Sequence, residues 1–176
     1  MRILLVSPES TAWNARAHIH NGLGYLAGAL LHAGYREVEI YDGAVETEPL
    51  AQRLVRERYD LVGISAPTPL IKEAWRAAQA AKTCGAVTIL GGPHPTLLPD
   101  ESLQHPEVDF VAIGEGEETI VEFARALEPY IPFLRVGERE LPPQAFSHIR
   151  GLAYRAASGQ IIHNQSRPLA RNLDTI

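Results

Sequence analysis

Short apolar runs alternate with longer amphipathic stretches through most of the chain. The runs are Ile3–Val6, Val38–Tyr41, Leu61–Ile64, Val87–Leu90 and Phe110–Ile113. Each is closed by Gly, Pro, Ser or Asp, and each is rich in β-branched or aromatic residues. That combination favours strands buried in a parallel sheet over helix. The stretches between them carry apolar residues at helical spacing. Gly22–Ala33 places Leu23, Leu26, Ala27, Leu30 and Leu31 on one stripe, and Gly34 stops it. Thr47 is expected to cap a helix with Pro49 near its start and Leu50, Leu54 and Val55 inward. Leu70–Cys84, stopped by Gly85, a short helix between strands four and five, and Glu117–Leu127 complete the set.

Strands alternating with helical segments predict an α/β fold, a parallel sheet with helices on both faces. Right-handed crossovers leave few topologies. The expected one is a flavodoxin-like, Rossmann-like doubly wound sheet of five strands in the order 2-1-3-4-5, with its switch point between strands one and three. Pro129, Pro132, Pro142 and Pro143 break any long helix beyond that point. Gly151–Arg155 and Gln160–His163 flank the turn Ala156-Ala157-Ser158-Gly159 and predict a small C-terminal β-hairpin extension. The expected organisation is therefore residues 1–128 as the α/β domain, 129–163 as a Pro-rich extension with the hairpin, and 164–176 as a linker.

In such a sheet, ligands bind outside the carboxyl ends of the strands. Two glycine-containing loops lie there in succession, Gly91-Gly92-Pro93-His94 and Gly114-Glu115-Gly116-Glu117. Missing side chains let a flat or extended ligand approach the backbone. The same glycines would also serve plain βα turns. Ser65 and Thr68 place hydroxyls after strand three, where they can bond a ring nitrogen, an amide or a phosphate oxygen, or cap the next helix. His94 can ligate a metal, donate a hydrogen bond to a ligand or lie in a surface turn. No Asp or second His stands at metal-cage spacing beside it, so an all-protein metal site is not expected. Glu117 and Glu118 open a helix, where the dipole favours carboxylates. Ser7–Asn21 is a long loop for a compact domain and is expected to have a function; it contains Trp13, His18 and His20, and the two histidines either approach a cofactor metal or sit on the surface.

Composition narrows the chemistry. No GxGxxG follows strand one, and no P-loop or GxSxG is present. Strand three ends in Ser65 rather than an aspartate, which argues against a phosphorylated receiver domain. The one cysteine, Cys84, excludes an internal disulfide, a CxxC pair and a cysteine-held iron–sulfur cluster built from this chain alone. A net charge of −5 with no basic cluster argues against nucleic acid as a partner. No apolar run approaches the roughly 20 residues that span a bilayer, and the N-terminal run is too short for a signal-peptide core. The expected location is cytoplasmic, with no membrane partner.

Several segments, in order and spacing, resemble the N-terminal cobalamin (vitamin B12)-binding domain of B12-dependent radical SAM enzymes. They are Leu90–Thr96, Val108–Val111 and Gly114–Thr119, supported by Arg2–Val6 with Pro8, Leu23–Ala27, Val38–Asp42, Asp60–Ser65 and Gly151–Arg155. The resemblance covers essentially the whole chain and implies cobalamin as the cofactor. The corrin would lie across the strand carboxyl ends, and the nucleotide tail would insert beside the sheet near Ser65, Gly91 and Gly92. Gly91-Gly92 is similar to the glycine pair that leaves room for the tail in methionine synthase-like domains, and Ser65 to their tail-contacting serine. The implied cofactor contacts are Ser65, Thr68, Gly91, Gly92, Pro93, His94, Gly114, Glu115, Gly116 and Glu117. The Asp-x-His-x-x-Gly signature of histidine ligation to cobalt is absent, as it commonly is in the radical SAM relatives.

The resemblance also implies a partner. SAM and a [4Fe–4S] cluster would belong to a radical SAM catalytic domain bearing CxxxCxxC, in the same or a separate chain. The tail Arg167–Ile176 resembles the link toward it. The parent would be a methyltransferase or a cyclase resembling the anaerobic Mg-protoporphyrin monomethyl ester oxidative cyclase, and this chain would not be catalytic alone. Two other readings stay open: a flavodoxin-like domain for a flavin or nucleotide, and an interaction domain of the same fold that binds no cofactor and forms a homo-dimer.

Overall fold

The computed structural model describes residues 1–9, 20–138 and 141–168. Its elements run β1 (Arg2–Ser7), α1 (Asn21–His32), β2 (Glu37–Asp42), α2 (Leu50–Glu57), β3 (Leu61–Ser65), α3 (Ile71–Thr83) and β4 (Val87–Gly91). Two single-turn helices follow, α4 (Pro93–Leu97) and α5 (Pro99–Leu103). Then come β5 (Phe110–Ala112), α6 (Glu117–Leu127), α7 (Ile131–Arg135), β6 (Leu152–Arg155) and β7 (Ile161–His163).

The sheet has seven strands in the order β2-β1-β3-β4-β5-β6-β7. Strands β1 to β5 pair in parallel in the expected order 2-1-3-4-5. The hairpin forms where the sequence pattern predicts it; its attachment to the main sheet is not foreseen by that pattern. β6 pairs antiparallel with β5, Val111 opposite Ala153, so the sheet continues without a break. Otherwise β5 would be an apolar edge with unpaired backbone groups. The extension also joins the core: Phe146 lies 4.8 Å from Phe110 and 5.4 Å from Phe123, ring centre to ring centre.

Alternate residues of each strand face opposite layers. Leu4, Val6, Val62, Ile64, Leu90 and Val111 pack with Ala74, Ala77, Ala78 and Ala81 of α3. On the other face, Ile3, Leu5, Leu61, Val87, Ile89 and Phe110 pack under α1 and α6. No described helix is long and apolar enough to cross a membrane.

Three local expectations change. Thr47 does not cap α2, whose N-cap is Pro49 with no side-chain cap bond. Val55 is exposed, so α2 fully buries only Leu54. Thr68 does not cap a helix beginning at Leu70: Thr68–Leu70 is itself a 3-10 turn, and α3 starts at Ile71 without a side-chain cap. The Thr68 hydroxyl is engaged elsewhere, as described below.

Candidate functional site

The sheet face under α1 and α6 narrows toward the carboxyl ends of its strands. β3 presents Leu61, Gly63 and Ser65 to that face, and β4 presents Val87, Ile89 and Gly91 in register with them. β5 presents Phe110 and then Ala112. Large residues at the amino ends fill the layer, while Gly63, Ser65, Gly91 and Ala112 leave space above it. The result is a cavity of about 150 Å³, roofed by Leu23 and Leu26 of α1 and Ile120 of α6.

Gly63 is what opens the sheet floor. A Cβ there would stand 3.0 Å from Leu5 Cδ2 and 3.7 Å from Ile89 Cγ2. Glycine inside a strand marks close approach of another group. Gly92 has a different requirement. It adopts φ +98° and ψ −174°, and a Cβ there would lie 3.0 Å from the Ala66 nitrogen, 3.2 Å from Ser65 Oγ and 3.3 Å from Ala66 O. The missing side chain at Gly92 therefore makes room for the neighbouring backbone rather than directly for a ligand.

Of the residues that sequence nominated, Ser65, Gly91, Gly92, Gly114, Gly116 and Glu117 line the cavity. Thr68, Pro93 and Glu115 are exposed at the same edge but outside the lining. Glu117 opens α6 as expected and, among the described residues, is the one charged residue in the lining. That helix start is held from outside by Arg167. Its Nε donates to Thr119 Oγ1 at 3.1 Å and its Nη2 to Glu122 Oε2 at 2.6 Å, and it also pairs with Glu118.

His94 is neither in the lining nor on the surface. It is only 5% exposed. Its Nδ1 bonds Thr68 Oγ1 at 3.3 Å, its Nε2 bonds Glu101 Oε2 at 3.0 Å, and its ring meets Trp75 edge-on. His20 caps α1, its Nδ1 accepting from the Leu23 N–H at 3.3 Å. Trp13 and His18, and residues 10–19 of the long loop, lie outside the described residues.

The nominations missed Leu5, Gly63, Ile89, Ala112, Leu23 and Ile120. Gly63 carried a readable signal, a glycine at the centre of the apolar run Leu61-Val62-Gly63-Ile64. The others were read only as core.

A model of the B12 binding domain matches residues 15–124, well over half of the chain. The chain belongs to the B12-binding domain family. Anaerobic magnesium-protoporphyrin IX monomethyl ester cyclase of Rubrivivax gelatinosus is 30% identical to this B12-binding domain over 187 aligned positions, covering 100% of the chain and 32% of the relative. An uncharacterized methyltransferase of Pyrococcus horikoshii is 32% identical over 186 positions, covering 100% of the chain and 37% of the relative. The chain thus spans about a third of the length of these relatives. In fold, the B12-binding domain resembles the radical S-adenosylmethionine methyltransferase TsrM from Kitasatospora setae, solved with cobalamin and a [4Fe-4S] cluster bound. The TM-score is 0.71 at 19% identity, over 98% of this chain and 30% of that one.

Proposed function

We propose that this chain binds cobalamin, with the nucleotide tail in the cavity and the corrin across the adjoining strand ends. The observation that carries this reading is the taper of the sheet face: Gly63, Ser65, Gly91 and Ala112 stand where larger side chains would close the layer. An elongated group with an aromatic end suits a slot with apolar walls and a hydroxyl at its rim. Ser65 supplies that hydroxyl, and Gly91 and Gly92 bring peptide groups to the mouth. The exposed Thr68, Pro93, Gly114 and Glu115 form the shelf on which a flat ring can rest.

Among the described residues, the cavity lining holds no histidine. When bound, cobalamin supplies methyl-carrying or one-electron cobalt chemistry, while the protein binds and orients it. The chain's own contribution is to hold the tail dry between α1, α6 and the sheet. As the family resemblance implies, the module serves a radical SAM enzyme that transfers a methyl group or closes a ring. SAM and the [4Fe–4S] cluster belong to a separate catalytic domain, in the same chain or another.

The test is retention of hydroxocobalamin by the purified chain on gel filtration, read as corrin absorbance in the protein peak. The parent is expected to carry the band. Gly91→Val adds a branched side chain to the cavity lining, where a Cβ meets Ala112 Cβ at 3.7 Å and Ala112 O at 3.9 Å, both ordinary van der Waals contacts. This variant is expected to fold and elute without corrin. A folded Gly91→Val protein that carries corrin like the parent contradicts the reading.

A further inference from the structure

We propose that His94 is the positioning residue of the cavity rim, acting through Thr68 and Ala66 on Ser65 and the Gly91-Gly92 turn. The inference rests on the cobalamin reading for its ligand but not for its geometry. His94 lies in the single turn after β4, yet its bonds run to three other places. Its N–H donates to Ala66 O at 3.1 Å, and the Ala66 N–H donates to Gly91 O at 2.9 Å. These two bonds lace the β3 loop to the β4 loop just behind the rim. The ring ties the same loops a second time, through Thr68 Oγ1, and anchors the tie to α5 through Glu101.

With the imidazole neutral, the chemistry of the three groups sets the direction of the bonds. An ionised carboxylate only accepts, so Nε2 carries the hydrogen toward Glu101. In the neutral ring Nδ1 is then the acceptor, and the Thr68 hydroxyl donates to it. An imidazole offers a donor and an acceptor on opposite sides of one rigid ring, which few side chains can do in so small a volume. Burial raises the cost of leaving either side unpaired. Thr68 is exposed, so without this bond nothing described holds its hydroxyl in place. Ser65 and Gly91, which sit opposite each other in the sheet, take their positions from this laced pair of loops.

Two isosteric variants separate positioning from simple filling of space. Asn can reproduce the Nδ1 bond to Thr68 and loses Glu101. Gln can reproduce the Nε2 bond to Glu101 and loses Thr68. Phe fills the space and loses both. Two readouts are taken: amide hydrogen exchange at Ala66 and His94 (or its replacement) in the ligand-free chain, and the Kd for hydroxocobalamin. His94→Phe and His94→Gln are expected to speed exchange at both amides about tenfold or more and to weaken cobalamin about tenfold, as loss of a part-buried hydrogen bond implies. His94→Asn is expected to stay close to the parent in both.

Thr68→Val removes the same tie from its other end and is expected to speed the same exchange, should a His94 variant not fold. The proposal is overturned if His94→Phe or Thr68→Val keeps parental exchange at these amides, or if Asn and Gln behave alike. If the parent chain itself fails to bind hydroxocobalamin, the cobalamin reading fails, while the exchange measurements still decide the role of His94.

Discussion

At Gly92 the backbone occupies a region of φ and ψ open essentially to glycine, and the nearest atom to a Cβ is the Ala66 nitrogen. Gly92→Ala is therefore expected to lower stability by about 1–3 kcal/mol, measured by urea denaturation, whether or not cofactor is present. An unchanged midpoint would show that the turn relaxes without cost. Gly91 and Gly92 thus have separate duties, although the sequence shows them only as a pair. Strand parity puts Gly91, the last residue of β4, on the cavity face of the sheet. Ser65 was legible because it ends an apolar run at the switch point. His94 was not, because its partners lie 26 and 7 residues away in sequence. No local pattern announces such a bond.

Elements are joined below the sheet as well as above it. Asp60, just before β3, accepts from the Arg2 N–H of β1 at 2.7 Å and from Nε and Nη2 of Arg135 at 2.8 Å each. It thereby ties the amino ends of two central strands to α7. Burial pushes the Asp60 carboxyl up, but the Arg135 hydrogen bonds and the Arg2 N–H outweigh it, and the carboxyl titrates below its ordinary value of 3.8. The carboxylate form is the one the fold binds. Its contribution is fully present above the ordinary value and is lost as pH falls through the lower folded one. Asp60→Asn is expected to lower the urea midpoint at neutral pH, and the gap from the parent should shrink toward about pH 3 and below. A gap independent of pH would remove the carboxylate from the account. The helices and parallel strands were readable from period and from Gly and Pro punctuation. The placement of α7 and of β6 beside β5 was not, since both depend on contacts between distant segments.

Across the whole molecule, strand–helix alternation and crossover handedness left few topologies, and the favoured order 2-1-3-4-5 is the one the five parallel strands adopt. The location of the cavity also followed, at the carboxyl edge near the switch point. Its depth did not, because it comes from a row of small residues drawn from three strands: Gly63 and Ser65, Gly91, and Ala112. Only register brings that row together. Cobinamide, the corrin without its nucleotide tail, isolates the role of this slot. Equilibrium dialysis of the chain against hydroxocobalamin and against cobinamide compares the two directly. Tail insertion predicts that cobalamin binds at least about tenfold more tightly, a difference of about 1.4 kcal/mol or more. Equal affinity for both corrins, or retention of neither, would contradict the assignment of the cavity to the tail.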